Sequence, residues 1–428
     1  MIVYLICYVA SYLLSRSGHY YMSGAALMIA ALFLYAWDYR RTGNLIHLRA
    51  LFSLFWVGGQ GVSCLKLSAL QTDWAFATWG CFFAAFAGFW LTFELFDRRN
   101  RKRSWERGRT FYRGQPVRAK AAVFDCMVVI TVLSWAAFLL EAVLLRYVPF
   151  FVRGVPHAYS EFHITGVHYF TVSCVMVPAL AVIYFEGERG RKKHSLAVCM
   201  MAVLSLLIPV LCVSRFQLIF AVVLAAFTYI AMHGRFGILH GAGLMLFMIP
   251  LYVMLTIARS HDVAYLNGIF EMKNQATPIY ITQPYMYIAN NYDNFNCLVK
   301  LLSEHTWGLR MLFPVWALTG LKFIKPELVS FPLYVTKVEL TTVTLFYDSY
   351  YDFGIAGVLL FSCLLGAAAY WLTYTLPRMK NPAGYLLYAQ MAAYLMLSFF
   401  TTWFSNPATW FYLAVTGAAA CYCSWKGH

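Results

Sequence analysis

The segment DRRNRKRSWERGRTFYRGQPVRAK, Asp97–Lys120, carries ten Lys or Arg residues and lies between two long apolar runs. Lysine and arginine near the ends of membrane spans resist translocation, so a basic loop of this kind is retained on the cytoplasmic side. The flanking runs, 74–96 and 121–145, are long enough to cross about 30 Å of hydrocarbon as helices. The segment therefore predicts an α-helical membrane protein and sets the orientation from which its spans are counted.

Composition excludes an ordinary soluble domain. Of the 428 residues, 61% are hydrophobic and 12% are charged, about half the charged fraction of a typical soluble domain. The alternation typical of a transmembrane β-barrel is absent from the apolar runs. The predicted fold class is all-α, a polytopic transmembrane helical bundle. The formal net charge of +15 gathers largely in short loops, where it sets topology and meets anionic lipid, so it indicates no nucleic-acid partner.

Counting from the basic loop gives about twelve spans, with both termini in the cytoplasm. The other inner segments, which include Arg40–Arg41, 186–194 and the Arg235 turn, are basic as the positive-inside rule requires. The chain is thus divided into a bundle over 1–258, a large extracytoplasmic loop over 259–353 and further spans over 354–428. The predicted spans lie near 2–14, 20–37, 46–65, 74–96, 121–145, 167–185, 195–213, 216–232, 239–258, 354–375, 383–402 and 407–424.

Two outer segments are large enough to carry a site, namely 146–166 and the loop 259–353. The loop is rich in Tyr, Asn, Trp and Pro, and long loops with their own aromatic content are usually functional. Within it, Trp307–Ile324 is apolar, but Lys322 and Lys325 disfavour a buried end. We expect this stretch to lie at the outer membrane surface.

Two arginines stand at the outer ends of predicted spans. Arg215 lies in a turn with almost no loop between two apolar runs, and Arg259 lies where the ninth span ends. A guanidinium at the membrane boundary is costly unless it meets an anion, and two of them at one depth offer bidentate donors to a pyrophosphate. The structural alternatives are an Arg215 that reaches lipid phosphate and a surface pair between Arg259 and Asp262.

Amide and carboxylate residues interleave with aromatic residues in the larger loop, a composition typical of sugar sites. Planar amides and carboxylates can bond neighbouring hydroxyls, while aromatic faces pack on C–H surfaces. The alternative is an Asx-rich turn that caps a helix. The candidates for substrate binding in this stretch are Tyr287, Asn290, Asn291, Asp293 and Asn294.

Three further carboxylates are candidates for proton transfer or sugar binding. Asp348 and Asp352 lie four residues apart, so they share one face if the helix of the tenth span extends over both, although Asp352 is better explained as the cap of that span. Glu141 is a carboxylate inside its span, where such groups usually pair within the bundle. An ion pair with Arg215 or Arg259 is the alternative to a catalytic role for Glu141.

The sequence predicts neither a metal site nor a bound cofactor. His157, His163 and His168 have spacings that do not share a helix face, and the sequence contains no Walker A loop, GxSxG or HExxH motif. The intramembrane charges favour chemistry at one face over transport through the bundle. The outer boundary carries Lys66, Glu141, Arg215 and Arg259, whereas the inner half carries Asp125 and Glu94.

Four short motifs, spread over most of the chain, resemble the oligosaccharide repeat-unit polymerases, the Wzy-type O-antigen polymerase family. The motifs are LFW to KLS within 54–68, SRFQLIF at 214–220, YIANNYDNF at 287–295 and YYDFGIAG at 350–357. Lys66, Tyr347, Tyr351 and Asp352 lie in or beside these motifs, and we add them to the substrate-binding candidates.

The related O-antigen ligases share the two-arginine plan and twelve spans. They typically carry a histidine before a late span, whereas the comparable stretch Thr341–Thr344 has none. This difference favours a polymerase and leaves the general base open between Asp348 and Glu141.

The resemblance implies a GT-C-like architecture in a bacterial inner membrane, with the active site on the extracytoplasmic face. Such an enzyme moves a growing glycan from undecaprenyl pyrophosphate to the non-reducing end of the next lipid-linked repeat. No metal or cofactor is needed if arginines hold the departing pyrophosphate. The sequence leaves open whether a chain-length regulator and a flippase act as partners. The alternative functions are an O-antigen ligase-like transferase and a lipid-linked oligosaccharide flippase.

Overall fold

The computed structural model describes residues 1–104, 120–152, 158–186, 194–234, 236–258 and 263–427. Every extended regular element in these ranges is helical, and one isolated antiparallel bridge joins Ser68 and Met272. The predicted all-α class is therefore confirmed for the part of the chain that is described. The α-helices are α1 (Ile2–Arg16), α2 (Tyr20–Thr42), α3 (Leu48–Phe52), α4 (Gly58–Cys64), α5 (Phe76–Ser104), α6 (Lys120–Leu145), α7 (Ala158–Glu161), α8 (His168–Val172), α9 (Val177–Glu186), α10 (Ser195–Leu211), α11 (Arg215–His233), α12 (Ile238–Ala258), α13 (Val263–Phe270), α14 (Ile279–Leu301), α15 (Phe313–Leu318), α16 (Leu321–Ile324), α17 (Tyr347–Thr375), α18 (Ala383–Met396) and α19 (Pro407–Lys426).

Within the described ranges, 6 helices are long and apolar enough to cross a membrane. They are Tyr20–Thr42, Phe76–Asn100, Lys120–Leu145, His168–Glu186, Arg215–His233 and Tyr347–Arg378, and three shorter apolar helices accompany them. The predicted span 46–65 is not one regular helix, because a π-helical turn, Ser53–Val57, separates α3 from α4. The predicted span 383–402 is also shorter, since α18 ends at Met396. The total of twelve spans stays a prediction.

The chain divides into two compact units. Unit 1 comprises Met1–Arg109, Asp262–Tyr374 and Tyr394–Trp410. Unit 2 comprises Thr110–His261, Thr375–Ala393 and Phe411–His428. Nearly all of the predicted outer loop 259–353 therefore belongs to the same unit as the first spans, rather than forming a body of its own.

Several sequence predictions fall outside the described residues. They concern most of the basic loop (105–119), the inner segment 187–193, the Arg235 turn, His157, and Arg259 with Asp262.

Neighbouring helices of unit 1 follow the directions that the predicted topology requires. The helices α2, α5 and α17 begin at one end of the unit, while α1 runs antiparallel to α5. Which end is cytoplasmic is a prediction from loop charge. The contacts that define the directions are Tyr4–Phe86 and Tyr12–Phe76 between α1 and α5, Gly80–Ile355 and Phe93–Tyr370 between α5 and α17, and Tyr20–Asp73 and Arg41–Asp97 between α2 and the chain at and before α5.

The helices of unit 2 alternate in the same way. Helix α6 is antiparallel to the helical stretch His168–Glu186, and α11 is parallel to that stretch. One end of the unit therefore carries Glu186 and His233, which pair at 2.8 Å, and the other end carries the start of α11. The contacts that define the directions are Lys120–Tyr184 and Ser134–Phe170 between α6 and the stretch, and Glu186–His233 between the stretch and α11.

The predicted outer loop contains a long buried helix, α14, which packs against α4 and α5. Tyr292, at its centre, is fully buried and donates a hydrogen bond to the carbonyl of Trp56 at 2.9 Å. The ring of Tyr292 also lies 5.4 Å from the ring of Phe82. Trp56 belongs to the π-helical turn, a feature that is often found at functional sites. Helix α14 is thus part of the helical body of unit 1.

The apolar stretch Trp307–Ile324 forms two short helices, α15 and α16, each far too short to cross a membrane. Several of its large apolar side chains are exposed, with Leu312 at 46%, Phe323 at 66% and Ile324 at 75%. This arrangement suits a segment that lies on the membrane surface, as the sequence predicts.

Helix α17 is interrupted at Gly354, which has φ 59° and ψ −148°, a conformation that is essentially restricted to glycine. The carbonyls of Tyr351 and Asp352 lie just before the interruption. They accept hydrogen bonds from the backbone N–H groups of Thr306 and Trp307 at 3.4 and 3.2 Å. The interruption therefore ties the segment after α14 to the start of α17.

Helices α2 and α4 approach closely where two glycines face each other. A Cβ added to Gly24 would lie 2.6 Å from the carbonyl oxygen of Gly61. We expect Gly24→Ala to lower the free energy of unfolding by about 1–3 kcal/mol through overpacking, measured by thermal unfolding in detergent. Gly417→Ala is the matched control, because a Cβ there would meet nothing within 4 Å. Equal unfolding midpoints for the two variants would contradict the close approach.

Candidate functional site

Arg215 is the first residue of α11 and is buried, with 6% of its surface exposed. It follows a tight turn in which Val213 has φ +53°, a left-handed conformation that β-branched residues rarely adopt. The backbone N–H of Ser214 closes the turn by donating to the Pro209 carbonyl at 2.8 Å. The strained turn is held in place by its surroundings, and it places Arg215 at the start of α11.

Arg259, the second arginine of the predicted pyrophosphate site, lies outside the described residues. The same is true of Asp262, its alternative surface partner. The two-arginine arrangement therefore stays a prediction, and Arg215 is the member of the pair that lies within the described residues.

Glu141, near the end of α6, is fully buried and accepts hydrogen bonds from three groups. The donors are the backbone N–H of Ile164 at 2.9 Å, the hydroxyl of Thr171 at 2.7 Å and Nδ1 of His168 at 3.1 Å. His168 is the first residue of α8, and 27% of its side chain is exposed. The carboxylate expected to pair with an arginine therefore has a histidine as its partner.

Residue spacing along one helix gives no sign of this pair, because Glu141 and His168 lie on different helices. The predicted topology nevertheless contains the signal. Glu141 lies toward the end of the span 121–145, and His168 lies at the start of the next span, 167–185. Because the two spans are antiparallel, these residues come to the same end.

The carboxylate of Asp293, in the middle of α14, accepts four hydrogen bonds from one segment. Lys66 Nζ and Trp74 Nε1 donate to Oδ1 at 2.6 and 2.9 Å. Gln71 Nε2 and Ser63 Oγ donate to Oδ2 at 2.6 and 3.1 Å. Lys66 and Asp293 are both buried, and Lys66 Nζ also lies 4.6 Å from the Trp74 ring. We call this group of five side chains the α14 anchor, because it joins α14 to the connection between α4 and α5.

The three asparagines predicted to bind sugar are buried, and their amides are bonded to the chain itself. The bonds are Asn290 with Thr336 (2.8 Å), Asn291 with Phe399 (2.7 Å) and Thr342 (2.6 Å), and Asn294 with Leu340 (2.7 Å) and Thr342 (2.8 Å). These contacts hold the segment around 336–342, which includes a turn, on α14. They give no support to direct sugar binding by the asparagines, which stays a prediction. The alternative of an Asx-rich turn is wrong, since the stretch lies inside a helix of 23 residues.

Tyr287 differs from the other candidates on α14 because it is partly exposed. Its hydroxyl accepts a hydrogen bond from Gln283 at 3.4 Å, and its ring lies 6.3 Å from that of Phe400. Among the predicted sugar ligands of α14, this is the side chain with surface left for an external group.

Asp348, at the start of α17, forms an ion pair that the sequence does not predict. Arg310 Nε donates to Asp348 Oδ1 at 2.7 Å, and the guanidinium lies 4.7 Å from the ring centre of Tyr351 and 5.9 Å from that of Tyr347. Burial works against the charge on Arg310, but the Asp348 carboxylate outweighs it and raises the pKa of the guanidinium. The rings of Tyr347 and Tyr351, which the sequence predicts to contact substrate, thus pack near the guanidinium of Arg310.

Asp352 is fully buried and binds the segment that precedes α15. It accepts hydrogen bonds from the hydroxyl of Thr306 and from the backbone N–H groups of Arg310 and Met311, the latter two at 3.1 and 2.8 Å. The prediction that Asp352 caps the span after it is wrong, because its carboxylate is bonded to the segment 306–311 and not to the helix that resumes after Gly354. The carboxylate caps the turn at 306–311 instead.

A second buried charge cluster lies at the opposite end of unit 1 from the α14 anchor. Arg49 donates to Asp38 Oδ2 through Nε at 2.8 Å and to Glu94 Oε2 through Nη1 at 2.6 Å. Its guanidinium lies 5.2 and 4.9 Å from the ring centres of Trp90 and Phe93. The sequence-based picture, in which charge gathers at one boundary, is therefore incomplete, because it omits Asp38 and Arg49.

Within the described ranges, no group of three or more His, Cys, Asp or Glu side chains is arranged to hold a metal ion. No family model matches the chain, and no curated protein or solved structure matches it. The resemblance to the polymerase family therefore rests on the sequence motifs alone. Further support for a function has to come from the positions of the candidate residues in the structure.

Asp293→Asn is expected to lower the free energy of unfolding by about 3–5 kcal/mol, because it leaves the ammonium of Lys66 buried without its counter-charge. Lys66→Met should cost less, since Ser63, Gln71 and Trp74 still donate to the carboxylate. Denaturant titration in detergent measures both losses.

The double variant Lys66→Met/Asp293→Asn should lose less than the sum of the single losses, because the two side chains interact directly. Lys300→Met is the matched control, since this exposed ammonium donates to the carbonyl of Asp73, and its effect should stay within about 0.5 kcal/mol. Strictly additive losses at Lys66 and Asp293 would show that the ion pair does not couple them.

Proposed function

We propose that this chain polymerises lipid-linked oligosaccharide repeat units of a surface polysaccharide. The growing glycan leaves undecaprenyl pyrophosphate and joins the non-reducing end of the next lipid-linked repeat, as the resemblance to the Wzy-type polymerases implies. The proposal includes twelve spans in a GT-C-like arrangement in a bacterial inner membrane. It also places both termini in the cytoplasm and the active site on the outer face.

The observation that carries the proposal is the buried guanidinium of Arg215 at one end of unit 2. A guanidinium is always charged and offers N–H donors in a planar fork that matches a phosphate group. At the first position of α11, Arg215 also stands beside the first-turn N–H groups of the helix, which carry partial positive charge. Both features favour a phosphate-bearing group over a neutral sugar at this position.

In this proposal Arg215 and Arg259 neutralise the negative charge that develops on the departing pyrophosphate. Fixed donors aimed at developing charge are usually the largest single contribution to catalysis. Guanidinium groups supply the positive charge that other transferases take from a metal ion. The acceptor hydroxyl attacks the anomeric carbon while the bond from that carbon to the pyrophosphate oxygen breaks.

The surroundings of the two candidate bases differ. Asp348 is held in an ion pair with Arg310, and a role as a base would require it to give up that pair. Glu141 lies in the same unit and at the same end as Arg215. This favours the Glu141 site as the place where the proton is received.

Arg215→Ala is expected to slow chain growth by about 100-fold or more, the loss typical of removing one donor to developing negative charge. Arg215→Lys should recover only part of the rate, since lysine lacks the bidentate fork of arginine. The measurement is the ladder of products that the purified protein forms from one defined lipid-linked repeat. Arg98→Ala is the matched control, because 69% of that side chain is exposed, and it should keep the parent rate.

A normally folded Arg215→Ala protein that still makes full-length polymer would contradict the role of this arginine. A parent protein that forms no ladder from the lipid-linked repeats of its own host would contradict the proposed function as a whole.

A lipid-linked oligosaccharide flippase is the second candidate, and one observation favours it. Unit 1 carries buried charge at both ends, in the α14 anchor and around Arg49, and a transporter needs polar groups near both leaflets. Against this, Arg49 is already paired with Asp38 and Glu94, which favours a structural role. Transport of labelled lipid-linked sugar into vesicles without chain growth would support the flippase and contradict the polymerase.

An O-antigen ligase-like transferase would perform the same bond exchange on a different acceptor. The two enzymes are distinguished by supplying the lipid-linked repeat together with a glycolipid acceptor that lacks pyrophosphate. Product on the glycolipid indicates a ligase, and a ladder on the pyrophosphate-linked lipid indicates a polymerase.

A further inference from the structure

Glu141 and His168 form a carboxylate–imidazole pair in unit 2. His168 Nδ1 lies 3.1 Å from Oε1 and 3.2 Å from Oε2 of Glu141. The carboxylate is fully buried, whereas 27% of the histidine side chain is exposed. Ile164 and Thr171 also donate to the carboxylate, so it is held from three sides. The glutamate side chain is therefore enclosed by the protein, whereas the histidine side chain is partly exposed.

This geometry decides which ring nitrogen can receive a proton. Donors surround the Glu141 carboxylate, the pattern of an ionised group, which can only accept hydrogen bonds. Nδ1 of His168 therefore carries the hydrogen, and the lone pair of the neutral ring lies on Nε2. No residue in the described part of the chain forms a hydrogen bond with Nε2. A carboxylate in this position also stabilises the imidazolium that forms when Nε2 takes up a proton.

His168 lies at the same end of unit 2 as Arg215, and the two helices are joined near that end. The hydroxyl of Tyr412 donates to the carbonyl of Val172 at 3.3 Å, and its ring stacks on that of Phe220 at 6.2 Å. Val172 and Phe220 lie about one helical turn beyond His168 and Arg215 respectively. A proton-accepting nitrogen and a phosphate-binding guanidinium can therefore serve one substrate at this end.

We propose that His168 accepts the proton of the attacking sugar hydroxyl and that Glu141 positions its ring and stabilises the imidazolium. The assignment rests on the proposed polymerase function and names a base that the sequence leaves open. His168 is the catalytic residue of the pair, and Glu141 is a positioning residue.

The O–H bond of the acceptor sugar breaks, and its proton joins Nε2 of His168. The oxygen forms a bond to the anomeric carbon of the growing glycan. The carbon–oxygen bond to the pyrophosphate breaks, and its electron pair leaves with undecaprenyl pyrophosphate. The imidazolium then returns the proton to water.

The test uses the purified full-length protein and one defined lipid-linked repeat. His168→Ala should lower kcat by about 10²–10⁴-fold, the usual contribution of a general base. KM should change by less than about threefold, because the lost interaction belongs to the transition state. Free imidazole should restore part of the rate to this variant. His163→Ala is the matched control, since this exposed histidine has its ring 6.2 Å from that of His168, and it should keep the parent kcat.

Glu141→Gln tests the positioning role. It should lower kcat with little change in KM, because an amide does not stabilise the imidazolium, and free imidazole should not restore the rate. Glu141→Asp, which keeps the charge, should recover part of the activity. A purely structural glutamate would instead change the unfolding midpoint of both variants without separating kcat from KM.

Each outcome supports or overturns a distinct statement. A folded His168→Ala protein with the parent kcat overturns the pair as the base and leaves the polymerase proposal standing. If the alanine variant does not fold, His168→Gln takes its place, since its amide can still donate to Glu141 but offers no basic nitrogen. A parent protein without any product ladder overturns the polymerase proposal and the base assignment together.

Discussion

Unit 1 depends on one carboxylate placed in an apolar surrounding. A buried ion without partners costs several kcal/mol, so Asp293 requires donors, and the segment from Ser63 to Trp74 supplies four of them. The sequence predicts that α14 lies in an outer loop. The hydrogen bonds of Asp293 instead hold this helix in the helical body of unit 1. The asparagines on α14 extend the same principle, because they bind the segment around 336–342. Polar residues that look like a sugar site in the sequence thus hold the fold together.

The same physical rule leads to a different result in unit 2. Glu141 has all the donors that a buried carboxylate needs, but one of them is a histidine with a second nitrogen that is not bonded within the described part of the chain. Arg215 stands at the same end, behind a turn with a strained Val213. His168 is hydrogen-bonded to Glu141 through Nδ1, so its other ring nitrogen, Nε2, can act on a substrate. We therefore centre the proposed chemistry on unit 2 and assign the α14 anchor to stability.

The start of α17 shows how the long segment after α14 is attached. The interruption at Gly354 leaves two carbonyls for the backbone at 306–307, and Asp348 and Asp352 bind Arg310 and the turn around it. The adjoining stretch Trp307–Ile324 then exposes several apolar side chains next to a helix long enough to span a membrane. Anchored backbone beside an exposed apolar face suits a segment that rests on the bilayer surface.

The sequence by itself determined the helical membrane class, and it predicted the relative directions of the described spans, because composition, run length and loop charge are local properties. It also singled out most of the important polar residues, since charges are rare in so apolar a chain. It did not determine their partners. Asp293 meets Lys66 across 227 positions, Arg310 meets Asp348 across 38, and Glu141 meets His168 across 27. Such pairs arise from the packing of separate segments of the chain, which spacing along one helix does not encode. Only the tertiary structure therefore decided which polar groups are paired within the protein and stabilise the fold, and which have an atom that can still bind a substrate.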